Sequence, residues 1–152
     1  MNGRLLNKKL HNQLGFTLLE LLVVIAVIGV LASLAVPRLQ TQIQRARFVE
    51  VVNATGPFKI AVEACAKTNN GLAGCNAGAN GIPAATAASS GNVASVDVAA
   101  GVITATSVAA NFSDGATTYV LTPGLAGANT ANGVTWAVDG TSTCLAAALC
   151  SQ

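Results

Sequence analysis

Charged residues are scarce in this chain. Lys and Arg number 8 and Asp and Glu 6 among 152 residues, so 9% of the side chains are charged and the formal net charge is +2. Arg4, Lys8 and Lys9 stand within the first fifteen positions, and the rest of the chain carries five basic and six acidic residues, a formal charge of −1. A surface this close to neutral lacks the basic stripe that phosphate binding requires. Nucleic-acid recognition is therefore not indicated, and only a weaker DNA contact through a few lysines is left open.

Residues that carry chemistry are equally few. The only histidine is His11, and the sequence has neither paired carboxylates in a local motif nor a glycine-rich phosphate loop. Neither pair of cysteines has the CxxC spacing, and Asp97, Asp114 and Asp139 stand in or beside predicted turns without gathering the oxygen ligands of a calcium loop. The sequence thus gives no support to an enzyme, a cofactor or a metal site.

One long apolar run dominates the chain. It extends over twenty-one residues from Phe16 to Val36 and contains a single charge, Glu20. At about 1.5 Å per residue a helix of this length spans about 31 Å, enough to cross the hydrocarbon core of a bilayer. The preceding residues are basic and lack acidic side chains, which predicts that they stay cytoplasmic. A carboxylate facing lipid costs about 2–3 kcal/mol, so Glu20 marks a function that involves a partner.

The junction before the apolar run suggests proteolytic processing. An ordinary secretory signal is cut after its apolar region, whereas the small polar junction Gln13-Leu14-Gly15 precedes this one. We predict that residues 1–15 are a leader cleaved after Gly15. The new amino terminus at Phe16 would then lie one helical turn from Glu20, which would bring a cation and an anion together. The alternative is a plain signal-anchor helix with a snorkelling glutamate, and the junction argues against it.

The residues Gly15-Phe16-Thr17-Leu18-Leu19-Glu20, followed by the apolar run and Pro37, resemble the type IV pilins, and the initial phenylalanine is similar to the type IVa branch. The resemblance implies that a prepilin peptidase/methyltransferase cuts after Gly15 and methylates the amine of Phe16. It further implies that Glu20 pairs with the amino terminus of a neighbouring subunit during assembly. The run from Pro57 to Glu63 extends the resemblance.

A type IVa-like major pilin implies a structural subunit for adhesion, motility or DNA uptake. Its partners would be identical subunits in a helical homopolymer, the peptidase and the pilus assembly machinery. The protein would cross the inner membrane once before assembly and belong to an extracellular pilus afterwards. The alternative is a minor pilin or a type II secretion pseudopilin, although Glu20 argues against a cap at the filament tip, where the family often dispenses with that carboxylate.

The four cysteines follow the membrane segment on its outer side, a compartment that permits disulfides. Three pairings are open, and the short loops favour Cys65 with Cys75 and Cys144 with Cys150. The resemblance implies that the second bond closes a loop near the C-terminus. Its apolar stretch, Leu145 to Leu149, is either exposed, as an adhesive patch at the filament tip or a contact with another subunit, or packed inward, where it covers the sheet edge.

The expected fold is α+β, with a long N-terminal helix, membrane-spanning in its first half, packed on a small antiparallel sheet. Residues 16–36 form the membrane or filament-core helix and residues 37–67 an amphipathic continuation, with helix interruptions at Pro37 and Pro57. Residues 68–92 form an αβ-loop, and residues 93–152 form the sheet and the disulfide loop. The apolar face of the amphipathic part is predicted to comprise Leu39, Ile43, Ala46 and Val49.

Four β-rich runs are bounded by turn residues: Val93–Val98, Val102–Ser107, Thr117–Thr122 and Val134–Val138. Turn signals at Asn111 to Gly115 and at Asn132-Gly133 favour hairpins. Phe112, Tyr119 and Trp136 are predicted to give bulk to an alanine-rich core.

Overall fold

The computed structural model describes residues 15–86, 90–125 and 133–152. The chain divides into an N-terminal unit that ends at Arg38 and a compact unit, Leu39–Gln152, called the head below. The elements are helices α1 (Leu18–Ala54) and α2 (Gly56–Asn69), strands β1 (Val93–Ala99), β2 (Val102–Ser107), β3 (Thr118–Leu125) and β4 (Val134–Val138), a 3-10 turn at Ala109–Asn111 and a final helix α3 (Thr143–Ala146). The predicted α+β class with an antiparallel sheet is confirmed.

Helices α1 and α2 are separated by a single residue, Thr55. The interruption follows from Pro57, which stands in the first turn of α2 and has no amide proton to donate to the preceding turn. Lys59 N still donates to Thr55 O at 3.0 Å, so the two helices continue with little loss of hydrogen bonding. Helix α2 ends where Asn70 adopts a left-handed conformation with φ 50°. The helical assignment of α1 runs through Pro37, and a kink there stays a prediction.

The predicted apolar face of the amphipathic helix was wrong. Leu39, Ile43 and Val49 are 61%, 43% and 53% exposed, whereas Phe48 and Val51, on the opposite side, are fully buried. The chain carries apolar residues on both sides of this helix, and the side with the large aromatic ring packs on the sheet because it removes more apolar area from water. The face predicted to be buried is therefore open to solvent in the subunit.

Polar contacts flank this packed face and hold the head half of α1 to the loops beside it. Asn92 Nδ2 donates to Glu50 Oε2 at 2.7 Å, and Arg47 Nη1 donates to the carbonyl of Asn111 at 3.2 Å. Arg45 Nε donates to the carbonyl of Ala148 at 2.8 Å, in the C-terminal loop. Residues on both flanks of α1 thus fix the helix against loops on either side of the sheet.

The four strands form one antiparallel meander in the order β1-β2-β3-β4. Ala100 and Gly101 connect β1 to β2 with φ of 48° and 82°, as a tight hairpin requires. A β-carbon on Gly101 would lie 2.8 Å from Leu72 Cδ2 and 3.2 Å from Pro123 Cγ, so a larger residue there would also have to displace these two side chains. Strand β3 runs past its predicted end because Pro123 pairs with Trp136 of β4, beyond the last pair that β3 makes with β2.

Three aromatic rings fill the centre of the head. The ring of Phe48 lies edge-on to Phe112 at 5.9 Å and to Tyr119 at 6.4 Å between centroids. Burial raises the pKa of the Tyr119 hydroxyl above its ordinary value. Trp136 is only half-buried, and its Nε1 donates to Glu63 Oε1 at 2.9 Å while Lys59 Nζ lies 5.8 Å from the ring centroid. The prediction of Phe112 and Tyr119 as core is confirmed, whereas Trp136 closes the rim between β4 and α2.

The two predicted disulfides are confirmed. Cys65 bonds to Cys75 and Cys144 bonds to Cys150. The first bond ties the end of α2 to the loop that follows, and that loop caps the β1–β2 turn because Gly101 N donates to Cys75 O at 2.8 Å. Within the second loop Leu149 is buried and Ala147 is partly buried against the core, while Ala146 and Ala148 are exposed, so the loop packs inward through part of its apolar stretch.

Two of the aspartates predicted to lie in or beside turns, Asp97 and Asp139, have different environments in the structure. Asp97 lies inside β1, paired with Thr104, and is not part of a turn. Asp139 follows β4 and accepts hydrogen bonds from the hydroxyl and amide of Thr141 and from the hydroxyl of Thr122. These bonds, led by that from the Thr141 hydroxyl, lower the pKa of the Asp139 carboxyl below its ordinary value.

Candidate assembly helix

The N-terminal part of α1 exposes an unbroken apolar surface. Every residue from Gly15 to Val36 is exposed, including Phe16 at 85% and Leu18 at 86%. Among the described residues, the stretch that contains α1 and α2 is long and apolar enough to cross a membrane, with a mean hydropathy of 2.8 over its most apolar window and none of that window buried. A surface of this size on a single chain requires either lipid or another protein to cover it.

The first turn of α1 is closed by a reciprocal pair of side chains. Glu20 N donates to Thr17 Oγ1 at 3.2 Å, and Glu20 Oε2 accepts from Thr17 N at 3.3 Å and from Thr17 Oγ1 at 3.2 Å. This is the capping box, in which the residue before the helix and the third helical residue satisfy each other's free amides. The carboxylate also stands where the positive end of the helix dipole favours an anion.

The capping box corrects the predicted placement of Phe16. The prediction that Phe16 and Glu20 share a helix face requires residues 16–20 to be helical, but α1 begins at Leu18. Thr17 caps the helix, so Phe16 precedes it in non-helical backbone. The pairing of a cation at Phe16 with Glu20 of the same chain through i,i+4 spacing is therefore not supported.

Glu20 has no cationic partner near it in the sequence. Between Gly15 and Val36 the chain contains no Lys, Arg or His, so Glu20 is the only charged side chain of the segment. A carboxylate on an apolar helix that becomes covered by lipid or protein is costly unless a cation and hydrogen-bond donors accompany it. The hydroxyl and amide of Thr17 supply donors within the subunit, and the counter-ion has to come from outside this segment.

The predicted site residues lie in separate parts of the structure, the N-terminal end of α1, the start of α2 and the two disulfides of the head. Gly15 is exposed, and a β-carbon placed on it would meet nothing within 4 Å. Glu20 contacts Thr17, Pro57 starts α2, and the four cysteines form two bonds within the head. Arg4, Lys8, Lys9 and His11 lie outside the described residues, as does Asn132.

One residue of the site was missed at the sequence level. The motif around the junction gives Thr17 no role of its own, although Thr17 and Glu20 have the Ser/Thr-x-x-Glu spacing of a capping box at the start of the apolar run. That spacing alone predicts the helix start found at Leu18.

Two family models match the chain. The model described as the prokaryotic N-terminal methylation motif matches residues 10–36, and the model described as pilin, a bacterial filament, matches residues 44–150. The first covers the junction, the capping box and the apolar run, and the second covers most of the head. Together they account for both units of the structure.

Several curated proteins are similar to parts of the chain. The type IV pilus subunit protein TapA of Aeromonas hydrophila is 41% identical over 69 residues, which are 45% of this chain and 49% of that protein. The prepilin peptidase-dependent protein D of Escherichia coli (strain K12) is 36% identical over 69 residues, 45% of this chain and 47% of that protein. The type IV major fimbrial protein FimA of Dichelobacter nodosus is 45% identical over 53 residues, 35% of this chain and 34% of that protein.

The matched region spans half or less of the length of each of these relatives. The family assignment rests instead on the pilin model, which extends from the head half of α1 to the second disulfide. With its N-terminal methylation motif, exposed apolar helix and four-stranded antiparallel head, the chain belongs to the type IV pilins.

Proposed function

We propose that this chain is the major structural subunit of a type IV pilus, made with a leader of residues 1–15, cleaved after Gly15 and N-methylated on Phe16. The subunits polymerise through residues 16–36. One observation carries the proposal: an exposed apolar helix holds a single charged side chain, Glu20, for which the segment contains no counter-ion. Cleavage creates a positively charged amine at Phe16 on every subunit, and this amine can serve as the counter-ion of Glu20.

Cleavage supplies two things that assembly needs. It removes the basic residues that precede Gly15, so that the segment can leave the cytoplasmic face, and it creates the amine of Phe16. The exposure of Gly15, with open space around its α-carbon, supports access by a prepilin peptidase/methyltransferase. Methylation of the amine leaves its positive charge in place.

Pairing between subunits sets their register. In a dry filament core a carboxylate without a cation is strongly unfavourable, so a stagger that brings Glu20 of one subunit to Phe16 of its neighbour is selected over other staggers. The capping box supports this role because Thr17 holds the carboxylate at the helix start, beside the end of the chain where a neighbouring amine can reach it. Pilus assembly machinery in the inner membrane would add subunits one at a time.

Location follows from the same segment. Before assembly the subunit spans the inner membrane once, with residues 16–36 in the bilayer and the head outside the cytoplasm. After assembly it belongs to an extracellular pilus that serves adhesion, motility or DNA uptake. Both disulfides lie in the head, which fits an oxidising compartment.

A minor pilin or a type II secretion pseudopilin is the second candidate. Such a subunit primes or caps a filament and is present in few copies, whereas a major subunit makes up most of the sheared fibre. Quantitative mass spectrometry of sheared surface filaments separates the two: the proposal predicts that this chain dominates, and a trace amount beside another abundant pilin would assign it to the minor class.

The processing step is tested by replacing Gly15 with leucine in a piliated host that expresses the full chain. We expect Gly15→Leu to leave uncleaved precursor in the inner membrane, seen as a heavier band whose amino terminus is unmethylated. The matched control is Gly29→Leu in the same helix, where a β-carbon also meets nothing within 4 Å and cleavage should proceed. Protein of mature size from Gly15→Leu would refute cleavage at this site.

The pairing step is tested by Glu20→Val in the same host. The variant should be inserted and cleaved like wild type but recovered poorly in sheared filaments, because the apolar segment is intact and the anion is missing. Normal piliation by Glu20→Val would count against pairing as the assembly mechanism.

A further inference from the structure

A cavity of about 420 Å³ lies in the head between the end of α1, the start of α2 and strand β1. The apolar part of its lining comprises Phe58, which is 5% exposed, Val96, which is 2% exposed, and the side chains of Ala54 and Val93. The carboxylate of Glu50 also belongs to the lining. Cavities of about 300–1,000 Å³ with mostly apolar walls and a few polar groups are the usual sites of small ligands in proteins. The size and the lining of this cavity therefore fit a small molecule.

Glu50 is an anion without a counter-ion in the described head. Its Oε2 accepts from Asn92 Nδ2 at 2.7 Å, and no lysine or arginine of the described residues forms an ion pair with it. Arg47, one turn earlier on α1, donates to the carbonyl of Asn111 instead. The wall of the cavity thus carries a negative charge that a bound cation would neutralise through a charge-assisted hydrogen bond.

The carboxylate of Glu50 is held in place by neighbouring groups. Asn92 Oδ1 accepts from Asn111 Nδ2 at 3.1 Å, so the amide that binds Glu50 is itself fixed. Gly91 has a φ of 59°, and a β-carbon at that position would collide with Glu50 Oε1. A larger residue at position 91 would therefore displace the carboxylate, whereas glycine leaves room for it. A charged group that is fixed before binding loses little conformational freedom when a ligand arrives, and this favours affinity.

We propose that this cavity binds a small organic ammonium ion, with its apolar body against Phe58 and Val96 and its charged end on Glu50. A hard metal ion such as Ca²⁺ takes several oxygen ligands that are mostly carboxylates, and Glu50 is the single carboxylate among the described residues of the lining. An anionic ligand would be repelled by Glu50, and an uncharged one would leave its charge unpaired. The other polar side chains of the described lining are uncharged: Asn53, Thr86 and Ser90.

The test titrates 2-phenylethylammonium and its uncharged analogue 2-phenylethanol into the full chain in lipid nanodiscs, and follows the methyl NMR shifts of Val93 and Val96. We expect Glu50→Gln to weaken the binding of 2-phenylethylammonium about fivefold, because the variant keeps an acceptor for Asn92 and loses the charge. The affinity for 2-phenylethanol should stay within about twofold of wild type, since the apolar lining is unchanged. Each probe is compared between variants, so its partitioning into lipid cancels.

The matched control is Asp114→Asn, which removes another exposed carboxylate of the head that lies outside this cavity. Its affinity for 2-phenylethylammonium should stay within about twofold of wild type. Equal losses in the two variants, or equal losses for the two probes in Glu50→Gln, would overturn the inference, as would the absence of saturable shifts in the wild-type chain. Tighter binding of N-acetyl-lysine amide than of 2-phenylethylammonium would assign the cavity to a protein side chain and would overturn it too. None of these outcomes bears on filament assembly, which is tested through Glu20.

Discussion

At the scale of single residues, Thr17 and Glu20 combine two tasks at one helix start. The carboxylate that is proposed to meet a neighbouring amine is also the residue that accepts from Thr17 and closes the first turn of α1. A helix end in lipid or in a filament core has no water to satisfy its first amides, so a side-chain cap matters more there than at a solvated helix. The capping residue is accordingly part of the assembly site.

Thr17→Val should loosen the first turn of α1 without changing the shape of the side chain. The loss of the hydroxyl removes the acceptor for Glu20 N and a donor to the carboxylate, at a cost of about 1 kcal/mol. Hydrogen exchange of the amides of residues 18–21 in detergent micelles should be about fivefold faster than in wild type. Thr17→Ser keeps the hydroxyl and is the control, and identical exchange in the two variants would show that the cap is not formed.

Asp139 predicts how the head responds to acid. Its pKa is lower in the folded chain than in the unfolded one, so the ionised carboxyl stabilises the fold above the unfolded value of about 3.9, and this stabilisation is lost as the pH falls through the folded pKa. Asp139→Asn should be less stable than wild type at pH 7, and the difference should shrink as the pH is lowered below about 4. Denaturation followed by the fluorescence of Trp136, the only tryptophan, measures both.

The cause of that pKa shift can be separated from the charge itself. Thr141→Val removes the hydroxyl bond that contributes most to the lowered pKa, and the Asp139 pKa measured by NMR should rise toward its ordinary value. An unchanged pKa in Thr141→Val would assign the shift to a different cause.

At the scale of elements, the sequence predicted where helices and strands occur better than which side of a helix is buried. The strand starts at Val93, Val102 and Val134 agree with the structure, because β-branched residues alternate there between turn residues. The buried face of α1 could not be chosen from spacing, since Phe48 and Val51 on one side compete with Ile43 and Val49 on the other. The buried face is decided by the contacts of Phe48 with Phe112 and Tyr119, which are distant from α1 in the sequence.

The corrected face can be tested with adjacent residues. Phe48→Ala should lower the free energy of unfolding of the head by about 3–5 kcal/mol, because it empties a fully buried site beside Phe112 and Tyr119. Val49→Ala, one position further, should cost less than about 1 kcal/mol because that side chain is 53% exposed. Denaturant titration of the full chain in detergent measures both changes in the free energy of unfolding. Equal losses for Phe48→Ala and Val49→Ala would contradict burial of the Phe48 face.

The first disulfide fixes the loop that caps the sheet. The double variant Cys65→Ser, Cys75→Ser opens a loop with a sequence separation of 10 and should cost about 3 kcal/mol, compared with about 2 kcal/mol for Cys144→Ser, Cys150→Ser, whose separation is 6. The first change should also speed hydrogen exchange at Gly101, whose amide donates to Cys75 O. If the Gly101 amide exchanges as slowly in the variant without the Cys65–Cys75 disulfide as in wild type, other contacts hold the loop in place.

At the scale of the whole molecule, both units expose large apolar side chains that a single subunit leaves uncovered. The N-terminal segment presents an apolar helix with one acid, and in the head the apolar side chains of Leu39, Ile43 and Val49 are exposed. The acid was identified from the sequence because a lone charge in an apolar run is conspicuous. Leu39, Ile43 and Val49 were recognised as apolar from the sequence, but their exposure became evident only in the structure, where Phe48 and Val51 on the opposite face pack on the sheet.

The central claim is that Glu20 of one subunit meets the amine of Phe16 on the next. It is tested most directly by a cryo-electron microscopy structure of purified filaments at a resolution that places both side chains. The account predicts that a Glu20 carboxylate oxygen lies within about 4 Å of the Phe16 nitrogen of an adjacent subunit, with no solvent path between them and the outside. A filament in which that carboxylate faces water, or in which the nearest amine is about 10 Å or more away, would contradict it.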